Sequence, residues 1–240
     1  MKYMGGKYRL ARQISETMLG YRLPYHEAFV EPFMGGGAIS SAMAPHFPVV
    51  LLSDAHPDLV MMWQAVQQGW VPPADVDESL YQQLRFAPPS ALRGFVGFGC
   101  SFSGKWFGGY GRQSIAGGKP ALENTLAPGA VRSVMRQAPK IAHAYIYQSD
   151  YRAVEFTPTT IIYADPPYAG TTTYSQGEFN HAEFWDTADR WVSGGATVFV
   201  SEQSAPSSWE SVWTKKMPNY TNGVDQSAGA RTEHLFMKHL

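Results

Sequence analysis

A β-branched run that stops at two consecutive prolines constrains this chain more than any other stretch. Thr160-Ile161-Ile162-Tyr163-Ala164 leads into Asp165-Pro166-Pro167-Tyr168, and a polar tract from Gly170 to Gln176 follows. Such a run predicts a buried strand ending at a rigid, non-helical turn, because proline fixes φ and biases the residue before it toward extended backbone. In an open parallel sheet the residues just past a strand's carboxyl end line the binding crevice. Prolines also lack a backbone donor, which leaves their carbonyls as the available polar groups. A carboxylate, one or two carbonyls and an aromatic face together suit an exocyclic amino group on a flat ring such as a nucleobase.

The amino-terminal half reads as the start of a nucleotide-binding unit. Leu10, Ile14 and Met18 recur at helical spacing within residues 7–19, and Gly5-Gly6 precedes that stretch with Lys7 beside it. This predicts an amphipathic helix whose Gly-Gly entry and lysine receive an anion. A β-rich run from His26 then passes through Gly35-Gly36-Gly37 into a helical stretch, and glycines there let the backbone turn sharply beside a ligand. A dinucleotide fingerprint would carry a third glycine where Ser40 stands. The next strand, Val49 to Ser53, ends at Asp54, an acid placed to accept hydrogen bonds from ribose hydroxyls or to cap the following helix. Residues 56–70 predict a helix with Leu59, Val60, Met62, Trp63 and Val66 in the core. Further strands are expected at 144–148, ending near Asp150, and at 196–201, with a helix from His181 to Val192 between them; Thr171 to Ser175 is expected to be a loop that orders on substrate entry.

Residues 72–139 form an expected insertion between the two parts of one domain, residues 1–71 and 140–240. The chain has 240 residues, 44% hydrophobic and 14% aromatic, enough for one substantial core. A net charge of −1 argues against a general polyanion binder but conceals an asymmetry. From Arg85 to Lys140 the cations Arg85, Arg93, Lys105, Arg112, Lys119, Arg132, Arg136 and Lys140 face one acid, Glu123. Within that span, residues 94–112 are too glycine-rich for stable regular structure and too aromatic for a linker. Aromatic rings interleaved with cations stack on splayed bases and hold phosphates, so the insertion 72–139 is expected to recognise DNA through Lys105, Arg112, Arg132 and Arg136. The alternative is a packed aromatic cluster. The lone Cys100 excludes an internal disulfide and fits a reducing compartment, and no apolar run is long enough for a signal or a membrane span; a cytoplasmic protein is expected. Scattered histidines without ligand spacing predict no metal.

Three motifs occur in an informative order. Lys2-Tyr3-Met4-Gly5-Gly6-Lys7, then Glu31-Pro32-Phe33-Met34-Gly35-Gly36-Gly37, then, beyond the insertion, Asp165-Pro166-Pro167-Tyr168 resemble the motifs of the DNA adenine (N6) methyltransferase family. Tyr3 stands where that family usually has Trp or a similar aromatic, and Met4 replaces a small residue. The resemblance implies an α/β, Rossmann-like fold with a seven-stranded, mostly parallel sheet, helices on both faces, and a closing antiparallel hairpin ending at Arg231 to Met237. It implies S-adenosylmethionine (SAM) as methyl donor, held by Tyr3, Lys7, Phe33, Gly35, Asp54, Asp150 and Asp165. It also implies catalysis by Asp165, Pro166 and Tyr168 on an adenine flipped out of double-stranded DNA, by a monomer or weak dimer. Cytosine N4, RNA adenine and a protein amide remain alternative acceptors, and a nucleotide-binding module without catalysis is a second alternative.

Overall fold

The computed structural model describes residues 1–112, 126–168, 179–217 and 231–240; Lys119, Glu123 and the tract from Thr171 to Ser175 lie outside them. The sheet consists of β1 (Ala28–Glu31), β2 (Val49–Asp54), β3 (Tyr145–Gln148), β4 (Thr160–Ala164), β5 (Thr197–Glu202), β6 (Glu210–Met217) and β7 (Arg231–Lys238). Their order across the sheet is β3-β2-β1-β4-β5-β7-β6, seven strands among the described residues. The pairs β1–β2, β1–β4, β2–β3 and β4–β5 are parallel, whereas β7 runs antiparallel to both β5 and β6.

Side chains alternate across these strands as a period of two requires. Phe29, Leu52, Ile161, Tyr163 and Phe199 enter one core, while Val30, Ile162, Ala164, Val198 and Val200 enter the other. Burial on both faces explains why β4 and β5 read as unbroken runs of buried residues. The first core is covered by α1 (Ala11–Gly20), α2 (Ala38–Met43), α3 (Pro57–Gln67) and α6 (Ala127–Gln137), the second by α7 (His181–Ser193). This is the α/β Rossmann-like architecture expected. Among the described residues no helix is long and apolar enough to cross a membrane.

The glycine-rich segment departs from expectation. Residues 78–85 and 91–99 are helical: α4 (Glu78–Arg85), capped by Asp77 accepting from the Leu80 N–H at 2.7 Å, then α5 (Ala91–Gly94), continuing into a π-helical turn Phe95–Gly99. Phe95, Val96, Phe98, Cys100 and Phe107 are buried in the same core as Phe29 and Trp63, so these aromatics serve packing and not base stacking. The glycines allow this by close approach. A Cβ at Gly97 would lie 2.2 Å from the Trp106 ring. Arg93 is likewise spent inside the protein, 2.8 Å from Asp58 and over the Trp106 ring at 4.9 Å. Phe102, 65% exposed, is the large aromatic that this stretch does present to solvent.

Candidate active site

The strand order reverses between β1 and β4: the chain runs outward from β1 through β2 to β3, then crosses back to β4 on the other side of β1. Main chains diverge at such a switch point and leave a crevice beyond the carboxyl ends. A cleft of ≈ 1690 Å³ opens there. Of the sequence-predicted site residues it is lined by Tyr3, Lys7, Phe33, Gly35, Asp54, Asp150, Asp165, Pro166 and Tyr168, together with Lys105, Arg132 and Arg136. Among the residues predicted, Arg112 is the one the cleft does not include. It forms an ion pair with Glu78 and lies over the Tyr110 ring at 5.2 Å, because α4 brings that acid beside it.

Asp165 leaves β4 at the switch point, with 17% of its side chain exposed. The Lys7 ammonium lies 2.8 Å from Asp165 Oδ1, and it also sits over the Tyr168 ring, 4.5 Å from its centroid. This corrects the expected role of the amino-terminal motif. The first helix begins at Ala11 and not at residue 7, so Gly5-Gly6 stands a turn before it, and Lys7 is buried against the protein's own carboxylate at Asp165. A buried ammonium needs a counter-charge, and Asp165 supplies it. Tyr168 is itself buried and its hydroxyl donates to Glu233 Oε2 of β7 at 2.7 Å. Burial, with Asp165 and Glu233 nearby, pushes that phenol far above its usual range, so it stays protonated as a donor.

The Gly35 turn meets Asp54 directly. The Gly35 N–H donates to Asp54 Oδ2 and the His56 N–H to Oδ1, each at 3.0 Å, while the Trp63 indole N–H donates to the Gly35 carbonyl at 3.1 Å. Gly35 has φ +46, and a Cβ there would come within 2.9 Å of the Tyr3 ring, so only glycine lets that ring close over the turn. Burial raises the Asp54 carboxyl to about 6, against the backbone N–H groups of His56, Gly35 and Ala55, which pull it down. Phe33 stacks on Tyr151 at 5.4 Å and forms an apolar wall. Asp150 accepts from Arg152 Nε at 2.8 Å and Nη2 at 2.6 Å, and this fork holds its carboxyl below the usual range.

Three further residues line the cleft without having been singled out from the sequence. Glu31 is buried at the end of β1, takes a hydrogen bond from the Ser40 hydroxyl at 2.6 Å, and is pushed well above the usual carboxylate range by burial. Its signal was present in the Glu31-Pro32-Phe33 motif. His56 sits against the edges of Phe98 at 5.0 Å and Trp106 at 4.2 Å, and burial lowers it to about 4, so it is neutral at pH 7. Nothing in its spacing marked it. Glu233 is the third, far from the other motifs in the chain. Cys100 is buried and its thiol pushed up to about 12, which leaves it no nucleophilic role at neutral pH.

Residues 3–86 match the family model described as D12 class N6 adenine-specific DNA methyltransferase. Over that span the chain is similar to the D12 class. The match covers about a third of the chain, including Tyr3, Lys7, Phe33, Gly35 and Asp54 but not the Asp165-Pro166-Pro167-Tyr168 turn. Methyl transfer is the activity that the matching family's description names. No curated protein sequence matches this chain. Among solved structures it resembles the rRNA methyltransferase aviRa from Streptomyces viridochromogenes, with 17% identity, TM-score 0.42, and coverage of 98% of this chain and 86% of that one. It also resembles TrmN from Thermus thermophilus, with 11% identity, TM-score 0.39, and coverage of 95% of this chain and 48% of that one.

Proposed function

We propose that this methyltransferase moves a methyl group from SAM to the N6 amino group of an adenine flipped out of duplex DNA. The observation that carries the reading is the convergence at one switch point of Asp165, Lys7 and Tyr168 with the Gly35–Asp54 turn. The residues present fit SAM. Asp54 offers buried acceptor oxygens for ribose hydroxyls, the Gly35 turn allows close backbone approach, and Phe33 supplies an apolar wall. Asp150, whose oxygens already accept from Arg152, offers its remaining lone pairs to an adenine amino group. When bound, SAM supplies a methyl already activated on a sulfonium.

The protein's own task is the acceptor nitrogen, whose lone pair is delocalised into the ring. The Asp165 carboxylate and the Pro166 carbonyl accept the two amino hydrogens, which favours a pyramidal nitrogen and stabilises the charge that develops on it. Asp165 therefore aligns and polarises without acting as a strong base. Flipping the base out costs a few kcal/mol, and stacking on Tyr168 at about 1–3 kcal/mol offsets much of that. The Lys7 ammonium lies over one face of that ring, 4.5 Å from its centroid. Lys105, Arg132 and Arg136, exposed around the cleft, take the phosphates.

Incubating the full chain with SAM and duplex DNA or RNA, then identifying methylated nucleosides by mass spectrometry, tests the reading. N6-methyladenine in DNA alone is expected. N4-methylcytosine, or N6-methyladenine confined to RNA, would overturn the acceptor; no methylated nucleoside at all would overturn catalysis.

Asp54 makes the cofactor step pH-dependent. Its folded-state value of about 6 lies above the ordinary 3.8, so between roughly pH 4 and 6 the folded chain holds a proton the unfolded chain has lost, and stability falls as pH rises through that window. Ribose hydroxyls donate to the ionised carboxylate, so SAM affinity moves the opposite way. Calorimetric titration should show binding about tenfold weaker at pH 5 than at pH 7.5, and an Asp54→Asn protein should lose this dependence. A flat profile in the parent protein would remove Asp54 from the cofactor site.

A further inference from the structure

Glu233 occupies an unusual place on β7. Leu235 and Met237, on the same face by the two-residue alternation, are buried in the main core, and Glu233 continues that face to the rim of the cleft, where it is 7% exposed. A carboxylate so buried is costly without a strong donor. The Tyr168 hydroxyl is such a donor, at 2.7 Å, and no local element joins the two residues, which are 65 positions apart.

We infer, resting on the methyl-transfer reading above, that Glu233 is a positioning residue that fixes the plane of the Tyr168 ring against Asp165 and Lys7. The geometry supports this. A phenolic hydrogen prefers the plane of its ring, so an acceptor held in a strand selects both the swing of the side chain and the roll of the ring. The far face of that constraint is functional, because the ring so oriented carries the Lys7 ammonium at 4.5 Å, and that ammonium touches Asp165 at 2.8 Å. Glu233, Tyr168, Lys7 and Asp165 thus form one connected row across the cleft, from β7 to the end of β4. Its consequence falls on alignment of the acceptor amine, where a misplacement of about 1 Å costs on the order of 100-fold in rate.

The test compares Glu233→Leu, Glu233→Gln and Tyr168→Phe in the full chain, reading kcat and KM for DNA, the dissociation constant for SAM, and thermal stability. Glu233→Leu should lower kcat about 10- to 100-fold with SAM affinity within about twofold. Glu233→Gln keeps an acceptor oxygen for the phenol and should recover kcat to within about threefold. Tyr168→Phe combined with Glu233→Leu should be no worse than the more damaged single variant. Gln as damaging as Leu, additive losses in the double variant, or a Leu variant that melts lower with kcat intact would each overturn the positioning role. A parent protein that methylates no nucleic acid overturns the methyl-transfer reading instead. In that case 19F NMR of 3-fluorotyrosine placed at position 168 decides the positioning claim: one ring orientation in the parent and Gln proteins and several in the Leu variant support it, while equal spectra reject it.

Discussion

An Asp165→Asn protein is expected to fold, to bind SAM, and to transfer methyl groups at least about 10²–10³-fold more slowly than the parent, the range for removing one group that stabilises developing charge. Asn keeps a carbonyl acceptor and the shape of the side chain, but loses the charge that offsets both the developing positive nitrogen and the Lys7 ammonium 2.8 Å away. Because Lys7 is buried, the same change has a structural cost. Breaking a buried ion pair by removing one partner destabilises by about 3–5 kcal/mol, and the Asn carbonyl together with the Gly5 carbonyl at 3.2 Å recovers part of it. A companion protein carrying Asp165→Asn and Lys7→Met separates the two effects. Its melting temperature should rise above that of Asp165→Asn while its turnover stays low. Single-turnover methylation measured beside thermal unfolding provides the check, and near-parental turnover in Asp165→Asn would end the proposed mechanism.

The second large effect is on stability, at Gly94. A Cβ there would lie 2.1 Å from the Asp58 carbonyl oxygen and 2.7 Å from its carbon, which are backbone atoms with no rotamer to yield. Asp58 also accepts from the Ser90 N–H at 2.9 Å and from Arg93 at 2.8 Å, so it ties α5 to the start of α3 at the point of closest approach. Gly94→Ala must push the two helices apart and strand a buried carboxylate, at roughly 3–5 kcal/mol. For a chain of this size that corresponds to a fall in Tm of about 10 °C. Gly20→Ala is the contrast: Gly20 ends α1 with nothing within 4 Å, and alanine there should be neutral or stabilising by up to about 1 kcal/mol. Equal melting temperatures for the Gly94→Ala and parent proteins would show that the helices do not depend on this contact.

Gly94 also shows where reading the sequence failed. Glycine serves two opposed purposes, freedom of the backbone and close approach of packed elements, and composition does not separate them. Residues 94–112 therefore looked like a pliant aromatic loop on DNA, whereas Phe95, Val96 and Phe98 are core and Arg93 is an interior ion pair. Strand β6 escaped detection for a different reason. None of its residues is buried, so Glu210 to Met217 carries no clean alternation. The strand ends were legible because each motif is short and its backbone is governed by its own residues: prolines after β4, glycines after β1, an acid closing β2.

From the residues alone came the α/β character, the order of the turns at the strand ends and the placing of Asp165, Gly35 and Asp54 at those turns, since local φ/ψ restriction and burial alternation act over a few positions, while the seven-stranded sheet followed from the family resemblance. The tertiary structure alone decided which partners those side chains keep: Lys7 on Asp165, Glu233 on Tyr168, Arg112 on Glu78 and away from the cleft. A charged or polar group settles on whichever counter-group the packed sheet brings within reach, and that choice is made across strands and helices distant in the chain.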